Sequence, residues 1–470
     1  MTAGTESVGG GGRDTSGWAG HPRGLSTLFF TEMWERFSYY GMRAFLILYM
    51  VHGLGFDDVH AGSVYGTYTG SVWLAAIFGG FIADRWLGHY RSVLVGGIII
   101  ALGHFTLAFH ALPFFYAGLA CIVIGTGLLK PNVSTLVGSL YEQGDERRDA
   151  GFSIFYMGIN FGAFIGPLIA GYLAQQVDWH LGFACAGVGM TLGLVQYVAG
   201  RQRLQPAVQR LSRPPRPSID PRRPKIDLRH VLLEVLVAIL PTLIRIPTLL
   251  WRWLMSFTVQ ERKRIAAVVV FFLFATLFWA GYEQAGSTLN LFADRYVDLH
   301  LFGLKLYASW FVSIQALFVI ILAPIFAWLW VRLGSRQPSS PAKFAWALLF
   351  MGLAFLLLMP AGSIAQGGVK VTPLWLVGAY FIEELGELSL SPVGLSVVTK
   401  LAPTRVVGLM MGVWFLSNAA GNKLAGWAAG FISRMPLTSL FGATAGAMLV
   451  AALVMFLLIK PVRSLMGGVH

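Results

Sequence analysis

The sequence predicts an all-α protein that crosses a membrane many times. Of its 470 residues, 56% are hydrophobic and only 12% are charged, whereas a soluble globular protein carries roughly 25% charged residues. Apolar runs long enough to cross the roughly 30 Å hydrocarbon layer recur along the chain, and residues 92–111 and 437–459 are two clear examples. The composition therefore excludes a water-soluble globular protein and predicts a polytopic one embedded in a lipid bilayer.

Hydropathy places twelve spanning helices in two groups of six. The first group is predicted at 24–53, 61–84, 91–111, 113–140, 150–175 and 180–200. The second group is predicted at 262–293, 304–333, 342–360, 373–401, 404–432 and 437–461. Two such groups indicate two related six-helix bundles around a central cavity. The chain then divides into a disordered cytoplasmic tail (1–23), an N-terminal bundle (24–200), a basic linker (201–261), a C-terminal bundle (262–461) and a C-terminal tail (462–470).

The formal net charge of +13 reflects membrane topology, and no nucleic-acid partner is expected. When the N-terminus is assigned to the cytoplasm, 27 of the 35 Lys and Arg fall on the cytoplasmic side and four on the other side. This asymmetry follows the positive-inside rule and places both termini in the cytoplasm. Residues 1–22 lack the pattern of a signal peptide. Two cysteines, Cys121 and Cys185, lie in apolar runs, so no disulfide framework is expected.

The linker leaves two interpretations open. Its Pro/Arg stretch from Arg213 to Pro224 cannot be helical throughout. The apolar stretch from Ile226 to Phe257 offers about 32 residues, whereas a hairpin that crosses twice needs about 40. We therefore favour one or more extra helices at the cytoplasmic interface, with a tight transmembrane hairpin as the alternative.

The first predicted helix carries ionisable side chains where they are costly. At about 100° per residue, one stripe holds four polar or charged residues, with Glu35 beside it: Glu32, Arg36, Tyr40 and Arg43. A charge at the bilayer centre costs on the order of 3 kcal/mol, so these groups must face a cavity or a partner. A structural ion cluster is one interpretation. We favour a proton and anion site, because neighbouring carboxylates and a guanidinium can exchange a proton.

Counting residues from the helix ends pairs charges of the two bundles. Arg43 and Glu283 differ in depth by about 3 Å, and Lys130 and Glu387 by about 5 Å. Their helices occupy equivalent positions in a six-plus-six arrangement, and each pair sets a cation against a carboxylate. Such pairs can latch one mouth of the cavity; a permanent structural bridge is the alternative.

Other residues in the spans give weaker signals. Glu383 and Glu387 share a helix face at i,i+4, whereas Glu384 points about 100° away. No partner is evident for Lys423, and His104 and His110 are interpreted as packing or interfacial residues. Several aromatic residues either line a pocket or contact lipid: Tyr39, Tyr40, Tyr68, Trp73, Tyr156, Trp279 and Trp414.

No catalytic motif was found. The sequence contains no phosphate-binding loop for ATP, no H-E-x-x-H zinc motif and no G-x-S-x-G nucleophile elbow. We therefore expect neither an enzyme nor a metal site. Energy for any transport must come from a gradient, and a proton supplies about 2.3 kcal/mol per 100 mV.

Motifs in six helices together resemble one family. They are Glu32-x-x-Glu35-Arg36, Gly125 to Asn132, Gly151 to Asn160, Phe278 to Gln284, Glu387 to Gly394 and Trp414 to Asn418. From about residue 25 to 460, outside the linker, the chain resembles the proton-dependent oligopeptide transporters of the major facilitator superfamily. The resemblance implies the major facilitator fold and proton-coupled import of di- and tripeptides by alternating access.

The resemblance also implies roles for individual residues. Glu32, Glu35 and Arg36 would couple the proton, which is the only cofactor-like species expected. Arg36, Arg43 and Lys130 would receive the peptide carboxylate, and Asn160 and Glu387 would hold its amino end. Arg43–Glu283 and Lys130–Glu387 resemble the family's gating bridges. The remaining expected contacts of the substrate are Tyr39, Tyr40, Gln315, Trp279, Trp414 and Ser417; Gln315 stands where the family often has Asn.

Two alternative functions stay open on the sequence. A related symporter for an anion such as nitrate, or for a peptide-like drug, would need the cations but not Glu387. A sensor or scaffold would bind peptide without transporting it. Bacterial members often insert two helices between the bundles, for which this linker is too short. Compact loops favour a bacterial inner membrane, and we expect a monomer.

Overall fold

The computed structural model describes residues 14–142, 144–211, 254–403 and 406–467. The first part of the predicted tail, the Pro/Arg stretch and nearly all of the apolar linker lie outside these residues. The choice between interfacial helices and a transmembrane hairpin for residues 226–257 therefore lies outside them too.

Six long helices form the N-terminal bundle. Three of them end in a single π-helical turn, at Tyr49–Gly53, Ala83–Leu87 and Leu173–Val177. The helices are α1 (Gly24–Leu48), α2 (Asp58–Ile82), α3 (His89–Leu107), α4 (Leu112–Ser139), α5 (Arg147–Tyr172) and α6 (Trp179–Ala199). A shorter helix, α7 (Arg201–Leu211), follows directly and begins the predicted linker.

The C-terminal bundle contains six long helices and one short helix. It comprises α8 (Val259–Tyr282), α9 (Thr288–Tyr296), α10 (Phe311–Leu333), α11 (Ser340–Gln366), α12 (Leu374–Leu401), α13 (Val407–Ala429) and α14 (Leu437–Met466). Two short strands, β1 (His300–Leu301) and β2 (Leu304–Lys305), pair antiparallel between α9 and α10. Their turn places both Phe302 (φ 51°) and Gly303 (φ 79°) in the left-handed region, as tight hairpins require.

Side-chain caps explain several helix starts. Asp57 accepts hydrogen bonds from the backbone N–H groups of Val59 and His60, both at 2.9 Å, at the start of α2. Asp178 does the same for α6. Thr258 and Glu261 form a reciprocal capping box at the start of α8. Each cap satisfies N–H groups that the first turn of a helix leaves without partners.

The predicted helices are confirmed, with one substantial difference. Among the residues that the structure describes, nine helical segments are long and apolar enough to cross a membrane. That set leaves out α1, α12 and α13, each of which carries at least one charged residue in a predicted span. The predicted seventh helix, 262–293, is broken: α8 ends at Tyr282, a tight turn covers Glu283–Gly286, and α9 continues from Thr288. The turn packs closely, because a Cβ at Gly286 would lie 1.9 Å from the hydroxyl of Tyr65.

The two faces of the molecule differ in where the chain ends lie. The terminal face is where α1 and α8 begin and α14 ends, and the opposite face is where α1 ends and α2 begins. At the terminal face, Arg147 donates a hydrogen bond of 2.6 Å to the carbonyl of Gly20. Helix α7 lies at the same face with Leu204 and Ala207 buried. Arg210 on α7 donates to the carbonyls of Ser139 and Leu140, at 3.1 and 2.7 Å, at the end of α4.

Glycines line the contact between α2 and α13, which joins the two bundles. A Cβ at Gly62 would lie 2.3 Å from the carbonyl of Gly426, one at Gly66 2.9 Å from Asn422, and one at Gly70 2.8 Å from Ala419. These backbones therefore touch with little side chain between them. A second contact joins α5 and α10, where Ser313 donates a 2.7 Å hydrogen bond to the carbonyl of Phe164.

A similar glycine stripe joins α1 and α5 inside the first bundle. A Cβ at Gly162 would lie 2.2 Å from the carbonyl of Met33, and one at Gly166 would lie 2.5 Å from that of Phe37. Gly162 and Gly166, four residues apart on α5, therefore allow α1 and α5 to approach closely.

Candidate functional site

The charged residues of α1 form a buried cluster. Arg36 is bound through two parallel hydrogen bonds to Glu35, one of them from Nη2 to Oε1 at 2.6 Å, and its Nε lies 3.4 Å from Oε1 of Glu32. All three side chains are at most 3% exposed. The other oxygen of Glu32 has no hydrogen-bond partner. One guanidinium thus faces two carboxyl groups, an arrangement in which one carboxyl can exchange a proton without leaving the cation unpaired.

Arg43 lies two turns further along α1 and contacts the other bundle. It forms an ion pair with Glu283 at the end of α8, and its Nε donates a 2.7 Å hydrogen bond to the hydroxyl of Tyr65. Its guanidinium also lies 5.8 Å from the ring centre of Tyr40. The cross-bundle pair predicted from helix depth is therefore present.

Lys130 does not pair with Glu387 in this structure, contrary to the sequence prediction. No ion pair between them occurs among the described residues; instead the ammonium lies 3.5 Å from the ring centre of Trp73. Trp73 is stacked on Phe415 of α13 at 6.0 Å. Lys130 also lies within electrostatic range of Glu32, Glu35 and Arg36. The cation thus lies against an aromatic face, close to the α1 cluster.

Contacts between the bundles at the opposite face explain why Lys130 and Glu387 do not form an ion pair. Polar contacts between the bundles lie toward the opposite face, where Asn290 donates to the carbonyl of Ala44 at 2.5 Å. Arg295 is bound to Asp58 through two hydrogen bonds of 2.6 and 2.8 Å, and His52 lies 2.7 Å from Asp294. The bundles are therefore closed against each other at the opposite face, and the Lys130–Glu387 latch is disengaged.

Three carboxyl groups of α12 have different neighbours. Gln315 of α10 donates a 3.0 Å hydrogen bond to Glu383, and the hydroxyl of Tyr282 of α8 donates a 2.9 Å hydrogen bond to Glu384. Glu383 and Glu384 are fully buried, and Glu387 is 6% exposed. One oxygen of each carboxyl group has no partner. Gln315, expected to contact the substrate, thus donates a hydrogen bond to Glu383.

The remaining predicted site residues lie on helices of both bundles. Asn160 is buried and donates to the carbonyl of Tyr156 in its own helix at 3.0 Å. Ser417 likewise donates to the carbonyl of Trp414 at 2.6 Å. The ring N–H of Trp279 is buried without a partner. Tyr39 packs against Tyr40, with ring centres 5.2 Å apart.

Tyr156 joins the two sets of residues. It belongs to α5 of the first bundle and lies within electrostatic range of Glu387, Glu384 and Tyr40. Through the Arg43–Glu283 pair and Tyr156, charged residues of the first bundle thus lie close to carboxyl groups of the second. In the described part of the chain, no group of three or more His, Cys, Asp or Glu side chains is arranged to hold a metal ion.

Sequence reasoning missed several polar contacts. Tyr282 was not singled out, although it binds Glu384. Lys423 has partners on α2, since its ammonium lies 2.5 Å from the hydroxyl of Thr67 and 3.3 Å from the carbonyl of Ser63. In the sequence, Tyr282 and Lys423 are each a single polar residue in an apolar helix. Their partners lie on helices far away in the chain, so the sequence alone does not indicate them.

A family model described as the POT family matches residues 90–211 and 241–454. The chain belongs to the POT family. Its relatives include a peptide transporter, YePEPT, of Yersinia enterocolitica, 39% identical over 96% of each chain. A di-/tripeptide transporter of Lactococcus lactis is 36% identical over 96% of this chain and 98% of the relative.

Solved structures of the POT family have the same architecture. A crystallised peptide transporter in complex with alafosfalin has a TM-score of 0.86 at 42% identity, over 97% of this chain and 98% of that one. A POT family transporter in complex with 5-aminolevulinic acid has a TM-score of 0.82 at 32% identity, over 95% and 98%. The predicted major facilitator fold is confirmed, and the protein is an integral membrane transporter of the POT family and not an enzyme.

Proposed function

We propose that this transporter is a proton-coupled symporter that imports di- and tripeptides by alternating access. Relatives that cover nearly its whole length are named peptide or di-/tripeptide transporters. The charges of the site support the same substrate, because they suit a molecule with one anionic and one cationic end.

The observation that carries the proposal is a cation and a carboxyl group, one in each bundle, that lack ion-pair partners within the described part of the chain. Lys130 in the first bundle and Glu387 in the second have no ion-pair partner among the described residues. A peptide carboxylate would bind Lys130 with Arg36 and Arg43, and the peptide's ammonium group would bind Glu387 beside Asn160. Contacts to the two termini give selectivity for short peptides while tolerating many side chains.

The α1 cluster supports proton coupling. Glu32 and Glu35 share Arg36, and one oxygen of Glu32 has no partner. When a peptide carboxylate approaches Arg36, it competes with these carboxylates for the guanidinium. Uptake of a proton by Glu35 or Glu32 then removes the surplus negative charge, so proton and peptide bind together.

The proposal extends to the membrane context. Positive charge on the terminal face supports an orientation in which that face lies in the cytoplasm of a bacterial inner membrane, with both termini inside. The described conformation, closed at the opposite face, then corresponds to the state from which peptide leaves. Because both bundles and the site belong to one chain, a monomer suffices for transport.

Reconstituted vesicles provide the test. Dialanine should accumulate inside when an inward proton gradient is imposed, and added dialanine should dissipate that gradient. Peptide binding without movement of protons would overturn symport in favour of a sensor. If dialanine accumulated equally with and without the proton gradient, the proposed proton coupling would be wrong, but peptide transport would stand.

Other small zwitterions are the second candidate substrates. Two relatives of known structure were captured with alafosfalin and 5-aminolevulinic acid. Such molecules would use the same charged residues if they carry an anionic and a cationic end. Competition of each compound with labelled dialanine separates a peptide-selective transporter from a broader one.

A further inference from the structure

Glu384 is a buried carboxyl group of α12 that neither the substrate nor the α1 cluster explains. It is fully buried, and its side chain receives a 2.9 Å hydrogen bond from the hydroxyl of Tyr282. Its other oxygen has no partner. Among the described residues, no lysine, arginine or histidine forms an ion pair with it. A buried carboxylate without a cation is costly, so this arrangement favours the neutral acid.

The groups around Glu384 connect it to the substrate site. Tyr282 of α8, Tyr156 of α5, and Glu387 and Glu383 of its own helix are the titratable groups within electrostatic range. Tyr282 is half-buried and also lies within range of Tyr40 on α1. Because Tyr282 is half-buried while Glu384 is fully buried, its hydroxyl can pass a proton to that carboxyl group through one hydrogen bond.

Lys130 is the cation that can change the charge of Glu384. In this structure its ammonium is held over Trp73, away from α12. In the predicted pair with Glu387, the ammonium would lie one helical turn from Glu384, because residues three apart are neighbours on a helix. Its positive charge would then stabilise the ionised form of Glu384.

We propose that Glu384 is a second proton-binding site of the transporter, reached through the hydroxyl of Tyr282 and controlled by the position of Lys130. This inference rests on the proposed symport. Glu384 takes up a proton when the substrate carboxylate draws Lys130 away from Glu387. It releases that proton when the peptide has left and Lys130 returns. One additional proton then crosses with each peptide.

The proton-to-peptide ratio tests this proposal in vesicles that contain the full chain. The ratio follows from the membrane potential at which dialanine flux reverses. Glu384→Gln should lower the ratio by one proton while peptide counterflow continues. The dialanine accumulation reached at equilibrium should then fall about forty-fold per 100 mV, because a proton supplies about 2.3 kcal/mol there and 1.4 kcal/mol is tenfold.

Glu383→Gln is the matched control, because Glu383 is an equally buried neighbour with one hydrogen bond, from Gln315. It should keep the wild-type ratio. Tyr282→Phe should keep the ratio but slow proton-driven uptake several-fold, since the route to Glu384 is lost. An unchanged ratio in Glu384→Gln, or an equal loss in Glu383→Gln, would overturn the proposal.

A measurement on the unaltered protein covers the case in which Glu384→Gln fails to fold. The infrared difference spectrum upon dialanine binding should show a growing carboxylic acid C=O band, and the band should shift in Glu384→Asp. Absence of that band in wild type would equally overturn the proposal. Wild-type protein that shows no proton-driven accumulation would instead refute the symport itself.

Discussion

Arg43 and Glu283 form a buried ion pair that ties α1 of the first bundle to the end of α8 in the second. Glu283 is also where α8 ends and the tight turn before α9 begins. The pair therefore holds the helix break against the first bundle, and with Asn290, Asp294 and Arg295 it closes the opposite face.

Removing the charge of Glu283 should open that face. We expect Glu283→Gln to raise the ratio of open to closed molecules at least tenfold, because a buried charge that loses its partner costs about 3–5 kcal/mol. Spin labels at Leu112→Cys and Phe302→Cys, both exposed and on different bundles, report the separation in a background without Cys121 and Cys185. Asp298→Asn, which affects a pair with His300 inside the C-terminal bundle, should change nothing. Equal distances between the spin labels in Glu283→Gln and Asp298→Asn would show that the Arg43–Glu283 pair does not hold the opposite face closed.

The exposed pair of His52 and Asp294 should contribute less to closure than the buried pair of Arg43 and Glu283. Nε2 of His52 lies 2.7 Å from Oδ2 of Asp294 across the bundles, and an exposed pair contributes about 0.2–1 kcal/mol. We therefore expect His52→Gln to raise the ratio of open to closed molecules at most about fivefold, as the same spin labels would measure. His300→Gln, whose partner lies in its own bundle, should leave the ratio unchanged. A rise in His52→Gln as large as that in Glu283→Gln would contradict this ranking.

Glu35 should be required for coupling but not for peptide movement. Glu35→Gln should abolish proton-driven accumulation and leave gradient-independent counterflow largely intact, since the amide still bonds Arg36 but carries no exchangeable charge. Labelled dialanine uptake with and without a proton gradient measures both activities. Glu142→Gln, at the exposed pair with Arg210, serves as the control with wild-type accumulation. Full accumulation in Glu35→Gln would remove that residue from coupling.

Glu387 should recognise the amino end of the peptide. Wild type should bind dialanine at least tenfold more tightly than N-acetyl-dialanine, because removing one partner of a buried charged contact costs about 2 kcal/mol or more. In Glu387→Gln the two affinities should converge, as competition against labelled substrate would reveal. Undiminished dialanine uptake by Glu387→Gln would instead support a symporter of another anion.

The glycine stripe of α5 should limit the stability of the first bundle. Gly162→Ala places a Cβ 2.2 Å from the carbonyl of Met33, and overpacking of this kind costs about 1–3 kcal/mol. We expect a lower midpoint of thermal unfolding in detergent. Gly446→Ala in α14 meets no atom within 4 Å and should be neutral or stabilising, since alanine favours a helix over glycine. Similar unfolding midpoints for both variants would show that α1 can move away from the added Cβ without loss of stability.

The sequence predicted the helices and one cross-bundle pair for simple physical reasons. Apolar runs of bilayer length identify spans, and a rise of 1.5 Å per residue assigns depth, which sufficed to match Arg43 with Glu283. Depth alone does not determine whether two bundles are together or apart at a given face. Lys130 was therefore assigned to Glu387, whereas in the described conformation it lies over Trp73.

The carboxyl groups of α12 show a second limit. A helical wheel groups Glu383 with Glu387, yet the structure turns Glu383 toward Gln315 and lets Glu384 share Tyr156 and Tyr282 with Glu387. The choice depends on where α8 and α10 stand around α12, and the periodicity of one helix contains no such information. The break between α8 and α9 was missed because Leu289, Leu291 and Phe292 continue an apolar pattern beyond it.

The seam between α2 and α13 has a mechanical consequence. Where Gly62, Gly66 and Gly70 meet the backbone of α13, little side chain stands between the two helices. Rocking of one helix against the other therefore requires little repacking along this stripe, although side chains beside it, such as Lys423 at Thr67, must shift. The contact between α2 and α13 can thus serve as the axis about which the two bundles rock while the charged residues beside it change partners.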